Sequence, residues 1–93
     1  MKSIAIVKTA YGAPYMKRLC NHFSHKVPAV ASGNQGTIEF PFGVCQIEVD
    51  EEQMRFSLEV AKVENMERAE NVVERHLLQL ANRDEPEVAW VRE

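Results

Sequence analysis

The chain's 93 residues suffice for one domain and not for two, and its 45% hydrophobic and 27% charged content is that of a globular rather than a disordered protein. The net charge of −3 divides unevenly: residues 1–49 hold five Lys or Arg against two acids, and residues 50–93 hold six against twelve, so the halves carry +3 and −6. That balance lacks the basic excess of a nucleic-acid binder, and no run approaches the roughly 18 apolar residues of a membrane span, so neither partner is expected.

The opening segment Met1–Lys8 is apolar over too short a run to be a secretory signal. Cys20 and Cys45 lie in apolar patterns and read as free thiols of a reducing, cytoplasmic compartment. Residues 3–8 are rich in Ile and Val and predict a first strand, with Ile4 and Ile6 on its inner face. Pro14 then suits the first turn of a helix, because its missing N–H is not needed there. The helix is expected over residues 13–24, with Tyr15, Met16, Leu19, Cys20 and Phe23 as one apolar stripe. Arg18, His22 and His25 form a second stripe along its flank.

Val27–Ala31 contains a proline and predicts an edge strand or extended arm. Residues 32–36 are a turn signal. Three alternating strands follow. Ile38 and Phe40 point in on the first, Cys45, Ile47 and Val49 on the second, and Met54, Phe56, Leu58 and Val60 on the third. Thr37, Glu39, Gln46, Glu48, Arg55, Ser57 and Glu59 make the outer set, with Glu48 expected opposite Arg55. A second helix is expected over residues 64–82, with Met66, Ala69, Val73, Leu77 and Leu80 inward. Residues 87–92 predict a short last strand in which Val88 and Trp90 share a face. The result is one α+β domain over residues 1–93 in the order β-α-β-β-β-β-α. Its mostly antiparallel sheet carries both helices on one face.

Two blocks have a familiar wording: Tyr15-Met16-Lys17-Arg18-Leu19-Cys20-Asn21-His22-Phe23-Ser24-His25-Lys26-Val27 and Gly36-Thr37-Ile38-Glu39-Phe40-Pro41-Phe42-Gly43-Val44-Cys45. With the late helix segment Val73-Glu74-Arg75-His76-Leu77, they resemble the bacterial family called domain of unknown function 2218, over nearly the whole chain. The resemblance implies a TATA-binding-protein-like fold, β-α-β(4)-α, of the kind that also closes bacterial phosphohexomutases. It brings no established activity. For some members it implies an association with siderophore-interacting flavoproteins or iron-uptake loci. Others carry a label as an aldolase of dihydroxyheptenedioate; such aldolases use a larger scaffold and a carboxylate-held divalent metal, and this chain shows no such set.

The candidate ligand-binding residues are Arg18, His22, His25 and Lys26. Cationic or switchable donors grouped at a helix end grip a carboxylate or phosphate. The plainer reading is structural: His22 edges the core stripe beside Tyr15, and His25 caps the helix end, where a cation favours the dipole. No metal or other cofactor is expected, since His22 and His25 with Cys20 and Cys45 lack the closed spacing of a zinc site. No catalytic residue is assigned. The expected function is a non-enzymatic accessory or binding domain for a small anionic metabolite or a protein partner. The alternatives are a small enzyme using His22 or His25 as general acid or base, and a homodimer formed through an exposed sheet edge.

Overall fold

The computed structural model describes residues 1–93. Its elements are β1 (Lys2–Lys8), α1 (Gly12–Phe23), β2 (Ala29–Ser32), β3 (Gln35–Phe40), β4 (Gly43–Val49), β5 (Gln53–Val60), a 3-10 turn (Val63–Asn65), α2 (Met66–Leu80) and β6 (Trp90–Arg92). All neighbouring strands pair antiparallel, in the order β2-β3-β4-β5-β1-β6. The expected α+β class and element order hold, and β2 is an edge strand.

Most boundaries moved by one to two residues for local reasons, and the last strand starts three residues later than expected, at Trp90, which leaves Val88 outside it. The second helix begins at Met66 because Val63–Asn65 tightens into a 3-10 turn. It ends at Leu80 because Ala81 turns extended, with ψ 106°. Tight turns set the hairpins. Gly33 takes φ +62° at the first central position of the β2–β3 turn, a conformation that a side chain disfavours. At the start of β4, a Cβ on Gly43 would stand 2.3 Å from the Glu59 carbonyl oxygen, so close strand approach requires glycine there.

The core lies between the sheet and both helices. α1 contributes Tyr15, Met16, Leu19, Cys20 and Phe23, and α2 contributes Met66, Ala69, Val73 and Leu77. Fully burying one such large apolar side chain stabilises by roughly 1.5–3 kcal/mol, so the helices owe their stability to this face more than to intrinsic propensity.

One expectation is overturned. Ile4 and Ile6 do not point inward: Ser3, Ala5 and Val7 are buried, and Ile6 is 39% exposed on the open face. The cause is register. Residues directly opposite in an antiparallel ladder share a face, and β1 sets Ser3, Ala5 and Val7 against Leu58, Phe56 and Met54. The strong alternation of β5 fixes the inner face, and β1 follows it even though its largest side chains are then left outside. Glu48 does lie opposite Arg55, but the ion pairs are elsewhere, at Met1–Glu59 and Glu70–Arg92.

The inward Ser3 has a purpose. Its hydroxyl donates to Glu70 Oε2 at 2.6 Å, and Arg92 donates to both Glu70 oxygens at 3.1 and 2.8 Å. Nearby, the Trp90 indole N–H donates to Glu74 at 3.1 Å and its ring meets Phe56 edge-on. These bonds tie α2 to β1 and to β6, so a three-residue terminal strand stays in place. The Arg92 hydrogen bond holds the Glu70 carboxyl below its ordinary range; burial opposes this, and the Ser3 hydroxyl adds to the lowering.

A carboxyl lowered in the folded state stabilises above its unfolded pKa, and that stability is lost as pH falls through the folded value. Acid denaturation should therefore differ between wild type and Glu70→Gln. Wild type should lose stability progressively below about pH 4.5, and the variant should lose less over that window, measured by urea melts across a pH series. Parallel pH profiles would contradict the assignment.

Candidate functional site

Four side chains were expected to gather after the first helix, and the structure distributes them. Arg18 lies in a cleft of about 330 Å³ with Pro14, Tyr15, Asn82 and Arg83. His22 is exposed one turn later, its ring edge-on to Phe23 and 5.0 Å from the His76 ring. It edges the core as expected, but at Phe23 rather than beside Tyr15. His25 and Lys26 are exposed in the turn that follows α1. His25 does not cap that helix. The Ser24 hydroxyl donates to Asn21 O at 2.7 Å, and the Lys26 and Val27 amides both donate to Phe23 O at 2.9 Å.

The cleft is built on a buried polar node that hydropathy patterning did not reveal. Tyr15 is 1% exposed. Its hydroxyl donates to Asp84 Oδ1 at 2.6 Å and accepts the backbone N–H groups of Arg83 and Asp84 at 3.0 and 3.1 Å. The other Asp84 oxygen accepts the Thr9 hydroxyl at 2.6 Å, and Thr9 Oγ1 accepts the Tyr11 N–H at 3.1 Å. The end of β1, the start of α1 and the segment after α2 thus meet at one carboxylate. Burial, with donation to Asp84, raises the Tyr15 phenol above its ordinary range, so it remains a protonated donor and not a base.

Two guanidiniums stand over this node. Arg18 Nη1 donates to Leu80 O at 3.1 Å, satisfying a carbonyl that the end of α2 leaves free. Arg83 lies over the Tyr11 ring, 5.9 Å from its centroid. Both side chains are held in position while remaining exposed, and guanidinium donors suit carboxylate and phosphate. Each oxygen of Asp84 accepts a hydroxyl, and neither arginine forms an ion pair with it.

The other candidates carry less chemistry. Cys20 and Cys45 are buried and free, and burial pushes both thiols up, away from the thiolate form that nucleophilic attack requires. His76, absent from the expected set, has its Nδ1 within 2.7 Å of Val72 O in its own helix. No group of three His, Cys, Asp or Glu is placed to hold a metal ion, and no helix is long and apolar enough to cross a membrane.

Residues 4–91 match the family model described as "Uncharacterized protein conserved in bacteria (DUF2218)". The chain belongs to this bacterial family. The solved NMR structure of PA4090 from Pseudomonas aeruginosa is similar, with a TM-score of 0.79 and 29% identity over 97% of this chain and 94% of that one. No curated protein matches.

The Tyr15 node generates a stability expectation. Tyr15→Phe removes one donor and one double acceptor, leaving the Arg83 and Asp84 amides and one Asp84 oxygen without that partner. Urea denaturation should show a loss of about 1–3 kcal/mol, the usual cost of an orphaned buried polar group. A change below about 0.5 kcal/mol, the range of neutral surface substitutions, would mean that the node does not hold the segment.

Proposed function

We propose that this DUF2218 domain is a non-enzymatic binding module that takes a small anion, carboxylate or phosphate, in the cleft between the start of α1 and the segment after α2. The observation that carries the reading is the convergence of Arg18 and Arg83 on one cleft, each held by its own contact, Leu80 O for Arg18 and the Tyr11 ring for Arg83. Pre-positioning lowers the entropy lost when a ligand is gripped. The first turn of α1, at Pro14 and Tyr15, holds no acid and adds the favourable end of the helix dipole. The neutral, hydrogen-bonded Tyr15 and the raised thiols support binding over turnover. The β-α-β(4)-α order supports the TATA-binding-protein-like assignment that the family resemblance implies. We extend the reading to the implied iron-uptake association: polycarboxylate chelators present the same chemistry to a pair of arginines, which makes citrate the first ligand to try.

The test is an NMR titration of the domain with citrate and with inorganic phosphate at neutral pH. Saturable shifts are expected at the amides of Tyr15, Arg18, Asn82 and Arg83. Arg83→Ala, which removes an exposed guanidinium together with its contact to the Tyr11 ring, should weaken binding by about tenfold or more, the size of one charged hydrogen bond. Amides unmoved by either anion at millimolar concentration would end the proposal.

A further inference from the structure

Both helices pack on the inner face of the sheet and leave its outer face bare. Directly opposite residues of an antiparallel ladder share a face, so the strand registers give the outer face row by row. The middle row crosses all six strands as Val30, Thr37, Gln46, Ser57, Ile4 and Val91, and it carries no charge. Val30 and Val91, at its two ends, are 65% and 67% exposed. On one side of it lies the row Glu39, Val44, Glu59 and Lys2, and on the other the row Gln35, Glu48, Arg55 and Ile6. With Lys8, the face holds three acids and three bases, so it is neutral although the chain carries −3.

These charges are sorted by strand. Glu39 and Glu48 lie on β3 and β4, and Arg55, Lys2 and Lys8 on β5 and β1. Glu39, Glu48, Lys2 and Arg55 are all exposed, and none forms an ion pair within the chain. The midline of the sheet runs between β4 and β5. Consider a second copy turned by 180° about an axis that lies over this midline, parallel to the strands. β4 then faces the partner's β5, β3 its β1, and β2 its β6. Glu48 falls over the partner's Arg55, Glu39 over the partner's Lys2 and Val30 over the partner's Val91, and the two-fold repeats each contact. Gln46 falls over the partner's Ser57, two side chains able to hydrogen-bond. Like charges oppose nowhere. Glu59 falls over the partner's Val44, but its carboxylate is already held by the Met1 ammonium of its own chain at 3.3 Å. The other axis in this plane, along the middle row, sets Lys2 over Ile6 and Glu48 over Val44, and so loses both ion pairs.

We infer that the outer face is a self-complementary docking surface for a second copy of this chain, the two sheets stacked face to face with their strands aligned. Stacked sheets lie about 10 Å apart, and aligned packing absorbs the twist of each sheet. The sheet edges are poorer routes, since β2 and β6 are only four and three residues long, and short edge strands discourage pairing. Six strands and three rows give a footprint of roughly 500 Å² per copy. That is the low end for a specific interface, so the dimer is a weak, concentration-dependent one. The Arg18–Arg83 cleft lies on the helical side, so both copies keep it open and the inference stands apart from the anion-binding reading.

The test is sedimentation equilibrium of the domain from micromolar to millimolar concentration. Wild type should pass from monomer to dimer over that range. Glu48→Arg and Arg55→Glu should each weaken the dimer by about tenfold or more, because each sets like charges over one another at two symmetric places. An equimolar mixture of the two variants should dimerise to within a few-fold of wild type, since both pairs then re-form with their signs exchanged. A neighbouring-strand effect within one chain would not respond to mixing. The double variant E48R/R55E, which also restores the cross-strand neighbours, should dimerise like wild type, and dispersed amide spectra check that each variant is folded. Wild type that stays monomeric at millimolar concentration would overturn the inference. So would a dimer that Glu48→Arg leaves intact, or one that neither the mixture nor the double variant restores.

Discussion

The Tyr15 hydroxyl is the interaction on which the helical side of this domain depends. It is buried, it makes three hydrogen bonds, and through Asp84 it connects to Thr9. Without these bonds nothing of comparable geometry would hold residues 81–84 against α1, since α2 ends without a glycine cap. The cleft exists because this node is closed. Pro14 and Tyr15 form one wall, and Asn82 and Arg83 the other. Buried polar networks are costly when partly satisfied and rigid when complete; here no buried side-chain nitrogen or oxygen lacks a partner.

A second polar node plays the matching role at the other end of the helical layer. Ser3, Glu70 and Arg92 join β1, α2 and β6. The cations near the cleft and the acids of α2 are placed differently. The acids Glu70, Glu74 and Asp84 are drawn into structural bonds, while Arg18, His22, Lys26 and Arg83 remain exposed.

Much of this was legible in the sequence. The alternation of Met54, Phe56, Leu58 and Val60 and the helical spacing of Met66, Ala69, Val73 and Leu77 placed the core, because period and burial are directly coupled. β1 misled for a physical reason. Its own alternation is weak, and its phase is imposed by β5 through pairing, a long-range effect that a window of neighbouring residues does not contain. Arg18 was legible as a candidate ligand residue, but its partner was not: Arg83 lies 65 residues away, and only the Tyr15–Asp84 contact brings it near. His76 was hidden likewise, since its meeting with His22 depends on antiparallel helix packing. A tyrosine in an apolar helical stripe was the one available signal for the node, because a buried phenol requires a partner.

Amide hydrogen exchange at Arg83 and Asp84 tests the central claim most directly. Both residues belong to a segment outside regular structure, and Arg83 is exposed, so an untethered loop would exchange their amides as fast as that of neighbouring Glu85. With both N–H groups donated to the buried Tyr15 hydroxyl, their exchange should be slowed by orders of magnitude and governed by opening of the node. Protection at Arg83 and Asp84 with free exchange at Glu85 is the expected result. Equally rapid exchange at all three would contradict a cleft held in place by Tyr15.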